Sequence, residues 1–174
     1  MARRHSRILL VQTKEMGELS STKPITNFAL KLKANLSLDP DLVLETGGRY
    51  FLLNTNLKTF APRSFFYAGR YLGKVKDEKF FPSFDLLAIL AETEANKVFV
   101  NEKAAWLFIC GRDIFGGGIV SIQSSRREGD FTLILNEFEE CLGFGRVVRD
   151  LGAKSDTVVV ENISDVGDFL RRER

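Results

Sequence analysis

Three consecutive glycines, Gly116-Gly117-Gly118, stand directly before the apolar run Ile119-Val120-Ser121-Ile122, and no other feature constrains the chain as much. Without Cβ atoms the backbone is bare there, so a partner can approach its N–H groups. The surrounding stretch, residues 97–148, reads as a succession of short elements. Lys97-Val98-Phe99-Val100 has a strand pattern, and Asn101-Glu102 is a helix start. Over residues 102–110 the apolar Ala105, Trp106, Phe108 and Ile109 are spaced to face a core, and Gly111 ends the helix. On this reading Trp106 and Phe108 are both core. Residues 119–122 and 131–135 then predict a hairpin, with Arg126-Arg127-Glu128-Gly129-Asp130 as its turn. Gly143-Phe144-Gly145 predicts a tight backbone approach just before Val147-Val148.

Upstream, Ile25, Phe28, Leu30, Leu32, Leu36 and Leu38 predict a helix over residues 22–38, stopped by Asp39-Pro40. Gly47-Gly48 lies between two apolar runs, 42–44 and 50–53, which is a hairpin signal. Residues 55–66 read as a loop or a short broken helix, and 66–75 as strand. Residues 85–91 predict a helix capped by Ser83 or Asp85. The polar segment 92–96 is the expected hinge between two domains, residues 1–95 and 96–174.

The order strand, short helix, GRDIFGGGIV, strand, a GD before an apolar strand, then LGFGR resembles the PUA domain, an RNA-binding pseudo-barrel. The resemblance continues through Thr157-Val158-Val159-Val160 and the tail Asp165-Val166-Gly167-Asp168-Phe169-Leu170-Arg171. It is similar to the Nip-seven family of large-ribosomal-subunit biogenesis factors over roughly residues 49–174. The resemblance implies an α+β protein: an N-terminal α/β domain followed by a PUA-like mixed β pseudo-barrel. It implies RNA at the glycine segment and the late strand, hence Arg112, Gly116, Gly117, Gly118, Arg146, Arg149 and Lys154. Arginine suits that role because its planar fork grips phosphate and stacks on bases. The competing reading is a plain tight loop, with the arginines paired to Glu139, Glu140 or Asp150.

Composition narrows the function further. Net charge is +2, but residues 97–174 hold 11 Lys and Arg against 13 Asp and Glu, leaving 14 against 10 upstream. A cationic surface in the C-terminal part must then be a local cluster. The single histidine, His5, lies near the N-terminus, and Ser20-Ser21 and Ser124-Ser125 lack a His/Asp pattern, so no catalytic set is expected. Glu137, Glu139 and Glu140 read as a solvated loop in preference to a cation site, and no metal or cofactor is expected. Most of the 15 Phe read as core, and Cys110 and Cys141 as buried, reduced thiols. Residues 8–11 read as a short strand, an apolar run too brief for a signal or a membrane span. Arg3, Arg4 and Arg7 before it are either solvated or an arm on phosphates.

The expectation is a non-catalytic, monomeric, cytoplasmic factor, nuclear or nucleolar if the source is eukaryotic. Its partners would be RNA, specifically pre-ribosomal RNA, and ribosome assembly proteins docked on the N-terminal domain. The alternatives are an RNA-binding specificity subunit of an RNA-modifying enzyme and a purely protein-binding role.

Overall fold

A computed structural model describes residues 22–59, 68–124, 127–152 and 156–168. The expectations for residues 3–11, for Arg126 and Lys154, and for the tail beyond Asp168 lie outside the described residues.

The first element is α1 (Lys23–Lys31), with Pro24 in its first turn. Ile25, Phe28, Ala29 and Leu32 recur at helical spacing and are buried. The helix is shorter than the sequence pattern suggested. Lys33 turns left-handed at φ 54°, and the Ala34 and Lys33 N–H groups close back on the Ala29 and Leu30 carbonyls. That is a Schellman ending built on lysine in place of the usual glycine.

Next come β1 (Val43–Thr46) and β2 (Arg49–Leu52), the expected hairpin, with Gly47 and Gly48 both at positive φ in its turn. A single helical turn, α2 (Thr55–Lys58), follows. Then β3 (Arg70–Lys76) and β4 (Lys79–Pro82) form a second hairpin, completing an antiparallel sheet in the order β1-β2-β3-β4. α3 (Phe84–Ala91) begins where the Ser83 hydroxyl accepts from Leu86 N–H, the cap the sequence indicated.

The second sheet contains β5 (Lys97–Val100), β6 (Ile114–Phe115), β7 (Ile119–Gln123), β8 (Phe131–Leu135), β9 (Cys141–Val147) and β10 (Val158–Asp165). Helix α4 (Glu102–Ile109) bridges β5 and β6. Strand order is β6-β10-β9-β8-β5-β7. The expected hairpin of residues 119–122 with 131–135 is not formed: β5 lies between β7 and β8, antiparallel to one and parallel to the other. The mixed α+β architecture with a curled β half-barrel agrees with the expected fold class.

Strand β8 is buried on both faces. Leu133 and Leu135 point into one apolar cluster with Ile25, Phe28, Leu72, Leu86, Leu87 and Leu90. Ile134 points the other way, into the barrel interior with Val98, Val100, Phe108, Val147 and Val160. The first cluster therefore joins the two sheets. Aromatic rings run through it from Tyr50 and Phe80 by way of Phe28 to Phe144 and Phe131, at centroid spacings of 5.2–6.0 Å. Edge contacts of this kind add to the area they bury.

Asn96 fixes that junction. It is fully buried, although it ends the segment read as a polar hinge. Its N–H donates to the Leu32 carbonyl at 2.8 Å, and its carbonyl accepts from Leu133 N–H at 2.9 Å. Its side-chain amide donates to the Phe131 carbonyl at 2.9 Å. Asn96→Ala should lower unfolding free energy by about 1–3 kcal/mol, because the Phe131 carbonyl loses a buried partner. Urea unfolding measures this directly, and an unchanged midpoint would contradict the assigned role.

Two sequence expectations about burial, those for Trp106 and Cys110, are corrected. Phe108 is buried, but Trp106 is 65% exposed and Cys110 is exposed. Two residues of helix turn the side chain by about 200°, so neither can share the face of Phe108. Phe81, Phe84, Phe115 and Phe138 are likewise exposed and not core.

Both cysteines are free thiols, and burial pushes Cys141 up to about 11. An alkylating reagent at pH 8 should therefore modify Cys110 quickly and Cys141 only after unfolding. Peptide mass spectrometry distinguishes the two sites, and rapid native labelling of Cys141 would contradict this.

Candidate nucleic-acid interface

The triple glycine closes the half-barrel. β6 and β7 are the two edges of the curled sheet, and Gly116–Gly118 joins them in one 3-10 turn. Gly116 N–H donates to the Thr157 carbonyl beside β10 at 3.1 Å. The Gly118 carbonyl accepts from Asn101 N–H, at the start of α4, at 3.0 Å. The segment is thus less bare than the sequence suggested, since Gly116 is buried and its N–H already has a partner. A Cβ on Gly118 would stand 2.6 Å from the Ala104 Cβ, whereas a Cβ on Gly117 would meet nothing within 4 Å.

The sequence-predicted arginines occupy two levels along β10. Gly145 of β9 pairs with Asn162, and Arg146 with Glu161. The Asn162 side chain reaches the Arg112 carbonyl at 3.4 Å and the Phe108 carbonyl at 2.9 Å, while its N–H donates to Asp113. Arg112 and Arg146 therefore belong to this level. Val148 N–H bonds the Val159 carbonyl, and Val158 pairs with Phe115, which carries the next residue, Arg149, toward the end of the sheet with the glycine turn. The two levels are separated by roughly four residues of strand, or about 13 Å.

Their electrostatics also differ. Arg146 Nε and Nη2 both donate to one Glu161 oxygen, at 3.1 and 2.6 Å, so its charge is matched within the protein. The sequence had offered Glu139, Glu140 or Asp150 as partners; the partner is Glu161, directly across the ladder. Arg112 and Arg149 are exposed and make no ion pair among the described residues.

Two exposed aromatic residues of this domain were not in the predicted set. Phe115, 49% exposed, immediately precedes the glycine turn, and Trp106 lies on the open side of α4. Either ring can stack on an unpaired base. Their sequence signal was the i, i+2 spacing of Trp106 and Phe108 and the position of Phe115 directly before Gly116. Among the described residues no three His, Cys, Asp or Glu side chains gather as a metal site. Glu137, Glu139 and Glu140 lie in a loop held by Asn136, whose amide donates to Glu140 at 2.7 Å.

A curled mixed sheet closed edge to edge by a glycine turn, with one helix over the closure, defines a PUA-type domain. Residues 96–174 match the UPF0113 PUA domain. A UPF0113 protein of Archaeoglobus fulgidus is 36% identical over 112 residues, covering 62% of this chain and 63% of the relative's length. A conserved PUA domain protein from Thermoplasma acidophilum superposes with a TM-score of 0.60 at 21% identity, over 88% of this chain and 96% of that one. A hypothetical protein from the hyperthermophilic archaeon Pyrococcus horikoshii gives 0.58 at 18% identity, with the same two coverages. At these identities the superpositions establish fold, and they extend well beyond the C-terminal half.

Within the glycine turn, Gly118→Ala should cost about 1–3 kcal/mol through overpacking against Ala104. Gly117→Ala should stay within about 0.5 kcal/mol of the parent. Thermal melts of both variants provide the check, and equal behaviour would refute the packing account.

Proposed function

We propose that this protein is a non-catalytic RNA-binding factor whose PUA domain holds single-stranded RNA at the glycine turn. The observation that carries the reading is the PUA domain over residues 96–174, whose glycine turn is flanked by exposed Phe115 and by Arg149, which has no ion-pair partner among the described residues. Stacking on Phe115 or Trp106 supplies contact with the bases. Arg149 and Arg112 supply phosphate contacts, and Arg146 joins them only by leaving Glu161. The finer reading follows the Nip-seven resemblance: a monomeric factor in large-subunit ribosome biogenesis, bound to pre-ribosomal RNA and assembly proteins in the cytoplasm or nucleolus. It assigns RNA affinity to residues 96–174 and protein docking to residues 1–95.

Glu161 gives this reading a sharp test. An exposed ion pair holds Arg146 by at most about 1 kcal/mol, so RNA competes with Glu161 for the guanidinium. Glu161→Gln should raise RNA affinity at low salt and steepen the slope of log affinity against log salt by about 0.7. Arg112→Ala with Arg149→Ala should lower affinity and flatten the slope by about 1.4. Fluorescence anisotropy with a single-stranded oligonucleotide, across a salt series, measures both. Failure of the wild type to bind any RNA would overturn the reading; binding indifferent to all three changes would relocate the site.

A further inference from the structure

Outside the PUA domain, the β3–β4 hairpin carries three lysines close to its Asp77-Glu78 turn. In the β3–β4 hairpin Lys74 stands directly opposite Phe81, and Lys76 directly opposite Lys79. Residues paired in this way share a face, as do residues two apart on one strand. Lys74, Lys76, Lys79 and Phe81 therefore occupy one face of the first sheet. The alternate residues Val75 and Phe80, also paired, pack into the core on the other face. All three lysines are exposed, Phe81 is 46% exposed, and none of the lysines forms an ion pair among the described residues. Like charges placed directly opposite on a sheet are destabilising. The Lys76–Lys79 pair is thus a local cost that an anion bridging the two ammonium groups would remove.

The aromatic ring selects among anions. A sheet face with a ring among lysines suits a strand of alternating phosphates and bases, because every base has a face to stack and every phosphate a charge to meet. An acidic protein segment would match the lysines but gain less from Phe81. Pairing of a protein strand along the β4 edge is disfavoured, since Lys79 and Pro82 lie on that edge. An open cleft of ≈ 1460 Å³ continues from β4 to β10, lined by Lys31, Lys79, Phe81 and Phe84 on one side and by Ile163 and Ser164 on the other. Glu78, Asp85 and Asp168 also border it, so the cationic character is concentrated on the sheet face itself.

We infer that this face, Lys74, Lys76 and Lys79 around Phe81, is a second binding surface for single-stranded RNA, continuous through the cleft with the PUA domain. The inference rests on the RNA-binding reading and extends it to the N-terminal half. A bipartite footprint makes affinity depend on RNA length, because short RNA reaches one surface and long RNA both.

The test uses the full chain and single-stranded oligouridylates of 6 and 20 nucleotides, titrated by anisotropy across a salt series. For the 20-mer, Lys74→Gln with Lys76→Gln and Lys79→Gln should flatten the salt slope by about 2, while three Arg replacements preserve it. Phe81→Ala should weaken 20-mer binding by roughly 5- to 150-fold. Ultraviolet crosslinking of the wild type should yield an adduct at Phe81, an outcome independent of how well the variants fold. Unchanged slope and affinity in the Gln variant, with the PUA arginine variant impaired, would overturn the second surface and leave the RNA reading standing. No binding by the wild type at either length would overturn both. RNA binding unaffected by the Gln variant, with loss of a bound acidic protein instead, would reassign the face and end the proposal.

Discussion

Burial of β8 on both faces is the constraint on which the rest of the structure depends. A strand with one wet face alternates polar and apolar residues, whereas Phe131-Thr132-Leu133-Ile134-Leu135 carries a single polar residue, Thr132, itself buried. Leu133 and Leu135 serve the cluster joining the two sheets, and Ile134 serves the barrel. Sliding the strand by one residue would exchange these sets, so its register is fixed from both sides. Asn96 reinforces that register by bonding backbone groups at Phe131, Leu133 and the end of α1. The N-terminal elements are in this sense a second wall of the barrel.

Close packing elsewhere follows from the same requirement. β9 must lie against β8 on one side and β10 on the other while Phe144 projects into the aromatic chain. Its flanking glycines make this possible. A Cβ on Gly143 would overlap the Ser164 carbonyl, and one on Gly145 would reach the Glu161 carbonyl and Val160. Gly143 also sits at φ 149°, where other residues are strained. The LGFG pattern thus records backbone proximity, and its value for binding is indirect: it sets where Arg146 meets Glu161.

Several of these arrangements were legible in the sequence because their causes are local. Gly47-Gly48 specifies a left-handed two-residue turn, Ser83 and Asn101 cap helices, and the apolar spacing of α1 marks its buried side. Others depend on partners distant in the chain. The end of α1 was missed because a lysine occupies the left-handed position, and the β3–β4 turn because Asp77 and Glu78 adopt positive φ without glycine. The pairing of residues 119–123 was misread because a hairpin is the nearest solution, whereas the barrel inserts β5 between the two strands. Trp106 shows a different limit. Counting apolar residues in a short helix assigned it to the core, while the 200° between positions 106 and 108 already excluded that. At the candidate interface the sequence supplied the arginines and the glycine turn, but the pairing of Arg146 with Glu161 exists only across the β9–β10 ladder.

The distribution of charge follows from these packing demands. With β8 enclosed and the barrel interior apolar, solvent-facing sheet surface includes the strands beside the glycine turn and the outer face of the first sheet. Near the former, the C-terminal half is net negative, and Arg146, further along β10, already has a carboxylate. On the latter, three lysines and a phenylalanine stand together with no acidic residue in the paired positions. Lys33 and Asp130 form an ion pair across the junction at 2.7 Å, but exposed pairs contribute little to stability. The apolar wall therefore holds the halves together, leaving surface charge free to be distributed by binding. A long polyanion can engage both ends of such a body while a short one cannot, so the shared core converts two modest patches into one extended surface.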